Sequence, residues 1–313
     1  MSSSLKISVI KWIGLLVNVT ITVGAGVGLF YCGVSWFAFG LFVVSSQFCM
    51  LTHEIGYHRY FAHKSFETSR RFQFILGLLA ELAPIRGPIW WAANHRDHHK
   101  FVDTQRDPHS PVRGTWKSYM GWVYDDANIA HTYDNAAELT TFPELVFIDK
   151  FFFLPMLVSF ALLFGVGAWL ETAVPELGTS GLQLLVWGGF LRMLYPIHTM
   201  ALINFFAHHP RYHFGYRNFG SRDASRNLPI LGYLGAGVGW HNNHHRAGGY
   251  ATTKVFWWEL DFSGWVIRQL ERKGVIWEVK WPPEAYRREA ERYRKRRDDD
   301  ADFEDPYDTT FAA

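Results

Sequence analysis

Cysteine is scarce in this 313-residue chain: Cys32 and Cys49 are the only two, each inside an apolar run. That excludes a disulfide framework, a cysteine-held zinc site and an iron–sulfur cluster, and the pair reads as small buried hydrophobes. A surplus of charge is missing too, since Lys+Arg of 31 against Asp+Glu of 29 leaves +2 with histidine neutral. No basic stripe is interleaved with aromatics, so nucleic acid is excluded as a partner. No haem-binding motif occurs, and no glycine-rich dinucleotide fingerprint follows a strand pattern. The chain therefore needs electrons from elsewhere if it does redox chemistry. The first apolar run is too long for a secretory signal and lacks a small-residue cleavage site.

What is abundant is aromatic. Phe, Trp and Tyr make up 17% of the chain, with 14 Trp, and amphipathic rings favour membrane interfaces. The mean hydropathy of −0.06 is too polar for spanning helices alone. It fits spans joined to a large water-facing part.

Four runs have the roughly 20 residues a helix needs to cross the hydrocarbon: 12–30, 34–52, 151–170 and 182–206, the last carrying Arg192. The stretch 72–91 is apolar but interrupted by Glu81, Pro84, Arg86 and Pro88, and reads as an interfacial or re-entrant helix. The loops 31–35 and 171–180 contain no Lys or Arg. The positive-inside rule then places the other side in the cytoplasm. The expected fold is an all-α membrane protein: four transmembrane helices as two hairpins, plus a cytoplasmic helical cap from 53–150 and 207–285. Both termini lie inside, and 286–313 forms a charged tail. The whole of 1–313 is one domain.

Histidine is plentiful at fifteen, and it is clustered. His95, His98 and His99 fall at i, i+3 and i+4, along one side of a helix. The pattern recurs at His241, His244 and His245, and His58-x4-His63 lies upstream. Imidazole suits iron, copper, zinc and nickel. If the second span continues as an α-helix, His58 and His63 stand roughly 9 and 16 Å beyond its apolar end. All three boxes then sit on the cytoplasmic side.

These boxes, separated by two membrane hairpins, resemble the membrane-bound fatty acyl desaturases. The likeness runs from about 52 to 281. It includes Asp107-Pro108-His109 after the second box, Gly87-Pro88-x-Trp90-Trp91 before it, and Asn204-x3-His208 at the end of the fourth run. Arg192 also matches a family position. The resemblance implies two iron ions held by His58, His63, His95, His98, His99, His208, His241, His244 and His245, with Asn204 acting through a water. It implies dioxygen as co-substrate, and a cis double bond formed in a fatty acyl chain linked to CoA, acyl carrier protein or lipid. Electrons would come from a ferredoxin, rubredoxin or cytochrome b5 type of carrier with its reductase, docking on a basic face that includes 287–297. Those basic residues equally suit anionic lipid.

The other histidines read as ordinary. His53 precedes the first box by five residues without matching its pattern, His109 reads as a support or turn residue, and His131, His198, His209 and His213 as polar or interfacial. Asp97 and Glu54 are not needed as ligands. Two departures from the family follow the ligands: Arg246-Ala247-Gly248-Gly249 after the last box, and extra residues 209–213 after His208. The same scaffold also suits a diiron acyl hydroxylase or acetylenase. A metal transporter would need ionisable residues inside several spans, which 12–52 and 151–170 lack.

Overall fold

The computed structural model describes residues 3–83, 85–209, 211–300 and 303. Pro84, Pro210 and, apart from Phe303, the acidic stretch after 300 lie outside them.

The protein is mainly helical. Helix α1 (Ser3–Cys32) turns through Gly33 into α2 (Trp36–Thr52), which Ser35 caps by accepting from the Ala38 N–H. Helicity does not stop at Thr52. The backbone continues as a π-helix, His53–Ala62, in which the His63 N–H donates to the His58 carbonyl at 3.1 Å. A wider coil thus replaces the plain α-helical continuation, and its i→i+5 bonding brings residues five apart onto one face. Five is the spacing of His58 and His63.

Next come α3 (Arg70–Ala80) and α4 (Pro88–Phe101). The stretch 72–91, expected as a single helix, is divided: α3 ends at Ala80 and α4 begins at Pro88. Pro88 has no N–H to lose and opens a helix well. The Asp149 carboxylate completes the start, its Oδ1 accepting from the Ile89 and Trp90 N–H groups at 2.9 Å each.

Helix α5 (Leu154–Ala173) is followed by α6 in three continuous parts: Gly181–Leu184, a π-turn at Leu185–Leu191, and Arg192–Phe206. Among the described residues three helices are long and apolar enough to cross a membrane: Ile7–Cys32, Trp36–Ala62 and Leu154–Ala173. The fourth expected run, 182–206, is helical throughout, but with Arg192 and His198 in it it is not among the three. Trp12, Val44 and Leu162 are 64%, 70% and 63% exposed. Apolar helices that turn such side chains outward call for an apolar medium around them. Between helices the packing is close. A Cβ on Gly28 would lie 2.3 Å from Val186 Cγ2, so α1 approaches α6 only because nothing projects there.

A two-stranded antiparallel pair, Glu67–Thr68 with Ile276–Trp277, joins the segment after the π-helix to the region after α6. That region contains α7 (Pro229–Leu234), α8 (His241–Arg246), α9 (Phe262–Arg272) and α10 (Glu284–Asp299). The α10 helix carries the basic run. It docks by Tyr286 Oη donating to the Asn243 carbonyl at 2.6 Å, and by a bidentate Arg246–Glu289 pair at 2.8 and 2.9 Å. A buried clamp ties the π-helix to the region after α8: Arg59 donates to the Ala251 carbonyl at 2.7 Å and to Asp261 Oδ1 at 2.8 Å.

Candidate metal centre

Each histidine box is aimed by residues between or beside its histidines. In the last box, Asn242 and Asn243 face away from the centre into a buried amide network. Asn242 Oδ1 accepts from the Asn218 and Phe219 N–H groups at 2.8 and 2.9 Å. Asn243 Nδ2 donates to Glu259 Oε2 at 3.0 Å, and its Oδ1 accepts from Asn218 and Asn227 at 2.9 Å each. Every polar atom so satisfied resists rotation of α8, and His241, His244 and His245 are left on the opposite side. In the second box, Arg96 donates to the Phe61 and Ala62 carbonyls at 2.6 and 2.9 Å, locking α4 to the end of the π-helix. The Trp91 ring stacks on His95, centroids 4.5 Å apart.

The nine histidines meet in two groups. His58, His63, His95, His99 and His244 form one, and His98, His208, His241 and His245 the other; within each, the ligating atoms lie within 4.8 Å of one another. Their Nε2 atoms converge. His58 to His244 is 2.9 Å, His63 to His95 2.9 Å, His99 to His244 2.8 Å, His208 to His241 2.9 Å and His208 to His245 3.2 Å.

Two of the rings hydrogen-bond a buried carboxylate through the other nitrogen, and two more place it near one. His58 Nδ1 lies 2.9 and 3.1 Å from the Glu54 oxygens, and His98 Nδ1 3.0 Å from both oxygens of Asp107. His208 Nδ1 is 3.2 Å from Asp103, and His245 Nδ1 3.4 Å from Asp223. A carboxylate fixes the proton on Nδ1, so Nε2 presents a lone pair. Imidazole nitrogens converging at 2.8–3.3 Å around such rings form a pocket of donors that a cation would fill. The donor set therefore fits metal, with five imidazoles on one side and four on the other.

Electrostatics agree. Burial first, then the neighbouring imidazoles, pulls His63, His95, His241 and His244 well below the ordinary histidine range. Neutral imidazole is the ligating form. His208 departs from this: burial pulls it down, but Asp103, Asp223 and Asp107 together outweigh that and raise it.

Asn204 is 6% exposed and borders a narrow cavity with His58, His95, His98 and His241. A second narrow cavity shares its Ile85, Trp122, Met200 and Asn204 walls and continues toward Gly14, Tyr124 and Phe152. An apolar passage thus leads away from the histidines.

His53 is fully buried but outside both groups, its ring packed edge-on to Trp91 at 4.9 Å and against Tyr57 at 5.3 Å. The His109 ring lies tilted against His98, centroids 4.1 Å apart, and forms a third small group with His98 and Asp107. Asp97 is turned away, its Oδ2 2.9 Å from His131 Nε2. Tyr119 Oη is 2.8 Å from His198 Nδ1. The unusual Gly248 has a steric reason: a Cβ there would lie 2.9 Å from His63 Cε1. Asp103 and Asp223 went unnoticed in the sequence. Asp103 stands four residues after His99, but Asp223 lies in a polar loop with no signal of its own.

A mainly helical, membrane-associated protein whose buried histidines could hold metal is what fold and site define. Comparison with known proteins makes this specific. The family model described as fatty acid desaturase matches residues 30–278. An acyl-CoA 5-desaturase of Anemone leveillei is 31% identical over 81% of this chain and 75% of its own. A delta-9 acyl-lipid desaturase of Arabidopsis thaliana is 34% identical over 75% and 72%. A hex-5-enoyl-acyl-carrier-protein acetylenase of Moorena producens (strain JHB) is 30% identical over 86% and 85%. The chain belongs to the fatty acid desaturase family and is an oxidoreductase.

Proposed function

We propose that the protein is an oxygen-dependent desaturase that forms a cis double bond in a fatty acyl chain at a histidine-held diiron centre. The observation that carries this is the two-group histidine cluster beside an apolar passage. His58, His63, His95, His99 and His244 would hold one iron, His98, His208, His241 and His245 the other, and Asn204 would position a water between protein and metal. Bound iron would supply the dioxygen chemistry: two neighbouring methylenes each give up one hydrogen, and with two electrons and two protons from outside, dioxygen leaves as two waters.

The chain's own residues do the rest. Glu54 and Asp107 hold the Nδ1 protons of His58 and His98 and fix those ring planes, while Asp103 and Asp223 lie beside His208 and His245. Imidazoles, neutral when they ligate, would leave bound metals more positive than carboxylate ligands would, which favours attack on an unactivated C–H bond. Ile85, Trp122 and Met200 form a water-poor wall along which an acyl chain would lie, and rigid packing on α4 and α6 sets which carbon faces the cluster. Relatives named for acyl-CoA and acyl-lipid substrates support a carrier- or lipid-linked chain.

In this reading 182–206 is a fourth span, the chain is a single domain with four spans in two hairpins, and the cap and termini face the cytoplasm. Tags at either terminus or within 100–143 would be reached only from that side, whereas cysteines placed at 171–180 would label from outside. The acetylenase relative gives a second outcome on the same centre, a triple bond from an existing double bond. The test is fatty-acid analysis of membranes from cells expressing the wild type or His244→Ala. New cis-monoenes only with the wild type support desaturation, new alkynes favour the second outcome, and identical profiles contradict both.

A further inference from the structure

We propose that a groove between α2, α3, α5 and α6, lined by no histidine, binds a free fatty acid, with Arg192 as the anchor for its carboxylate. The inference goes beyond the desaturase reading, since this groove shares no lining residue with the two cavities beside the histidine cluster.

The groove has a volume of about 670 Å³, within the roughly 300–1,000 Å³ of small-molecule sites. Its walls are hydrocarbon, with Leu41 from α2, Leu79 from α3, and Leu162 and Val166 from α5, save for the hydroxyls of Ser45 and Ser159 and the guanidinium of Arg192. Arg192 is 5% exposed. Its Nη2 donates to Ser159 Oγ at 3.2 Å, while its Nε is buried with no partner. Among the described residues the titratable group facing it is the Cys49 thiol, and no carboxylate lies within ion-pair distance. A cation sunk among apolar helices is costly, and its position there calls for a counter-charge.

The missing group is an anion, and the planar fork of arginine favours carboxylate or phosphate. Depth decides between them. Ser159 lies five residues inside α5, about 7.5 Å from its first residue at about 1.5 Å per residue. From Ser159 the apolar wall runs on to Val166, about 10 Å further along the same helix. A carboxylate at Arg192 would thus let one acyl tail follow α5 away from the cap. A phospholipid would have to drag its phosphate and second chain to the same depth.

The groove also touches the machinery indirectly. Leu79 and Leu82 belong to α3 and to the turn before α4, the helix bearing His95, His98 and His99. An occupant would brace that turn.

The test is photolabelling of the purified full-length protein with a diazirine analogue of palmitic acid, followed by peptide mapping. The expected result is labelling at 154–166 and 37–45, displaced by palmitate but not by palmityl alcohol. In Arg192→Gln that labelling falls by about tenfold, the order expected on losing a charge-assisted contact, while Arg192→Lys retains most of it. If Arg192→Gln does not fold, Val166→Trp, which fills the groove from its exposed edge, replaces it and should abolish the same labels. Displacement by the alcohol as readily as by the acid, displacement only by an anionic phospholipid, or labels confined to the wall around Met200 and Trp122 would each overturn the proposal. Iron content and acyl turnover of Arg192→Gln are read separately, so failure here leaves the desaturase reading standing.

Discussion

Both carboxylate oxygens of Asp107 lie 3.0 Å from Nδ1 of His98, and neither side chain is more than 1% exposed. The same Asp107 accepts from the Asp103 and His109 backbone N–H groups at 3.1 and 3.0 Å. One carboxylate thus closes the loop after α4 and fixes the ring that its histidine presents to the cluster.

Asp107→Ala should therefore cost about 10–100-fold in metal affinity, the range seen when a ligand's supporting carboxylate is lost. Metal retained during dialysis against a chelator measures this. Retention equal to wild type would show that His98 is oriented by something else, the adjoining His109 being the nearest candidate.

His53 and His58 separate ligand from neighbour. His53→Ala should keep its bound iron and measurable turnover, because that ring sits against Tyr57 and Trp91 outside both groups. The cavity it leaves should lower stability by about 1–3 kcal/mol. His58→Ala should lose iron and activity together. Equal metal loss in the two variants would move the first box.

Asp261 should matter for folding rather than chemistry. Burial pushes its carboxyl up, but Arg59 and three further donors outweigh that and hold it below its usual range. A group depressed in the folded state stabilises fully above its unfolded value of about 3.9 and loses that contribution as pH falls through the folded value. Asp261→Asn breaks a buried pair and should cost about 3–5 kcal/mol. The gap in thermal midpoint between wild type and variant should shrink as pH falls below about 4. A gap that instead widened on acidification would contradict the sign.

The basic helix divides into engaged and free residues. Arg287, Arg288 and Arg297 pair with Glu291, Glu284 and Asp298, whereas Arg292, Lys295 and Arg296 are exposed. If an acidic electron carrier docks there, neutralising those three should raise the apparent KM for the carrier several-fold at low salt. The difference should fade as salt is added, and peroxide-driven turnover should stay unchanged. Unaltered carrier kinetics with weaker binding to anionic vesicles would assign the face to lipid.

The three boxes and the first three long apolar runs were legible because each is a local pattern. His95, His98 and His99 need only helical periodicity to share a face. His208 was found through the family likeness, not from any box of its own. The π-coil over 53–62 was hidden, since its signal is a five-residue spacing that a loop would satisfy equally. So were Asp103 and Asp223: the Ala224 N–H donates to Asp103 across 121 positions, a pairing no local window contains. The break between α3 and α4 was half visible in Pro88, but the Asp149 cap that makes it stable comes from 60 residues downstream.

The most direct measurement is iron per chain in purified protein, determined by elemental analysis for the wild type and for His241→Ala. The account predicts two irons in the wild type and at most one in the variant, with turnover lost, because His241 belongs only to the four-histidine group. A single iron in fully active wild type, or two irons retained in His241→Ala, would contradict a centre built from both groups.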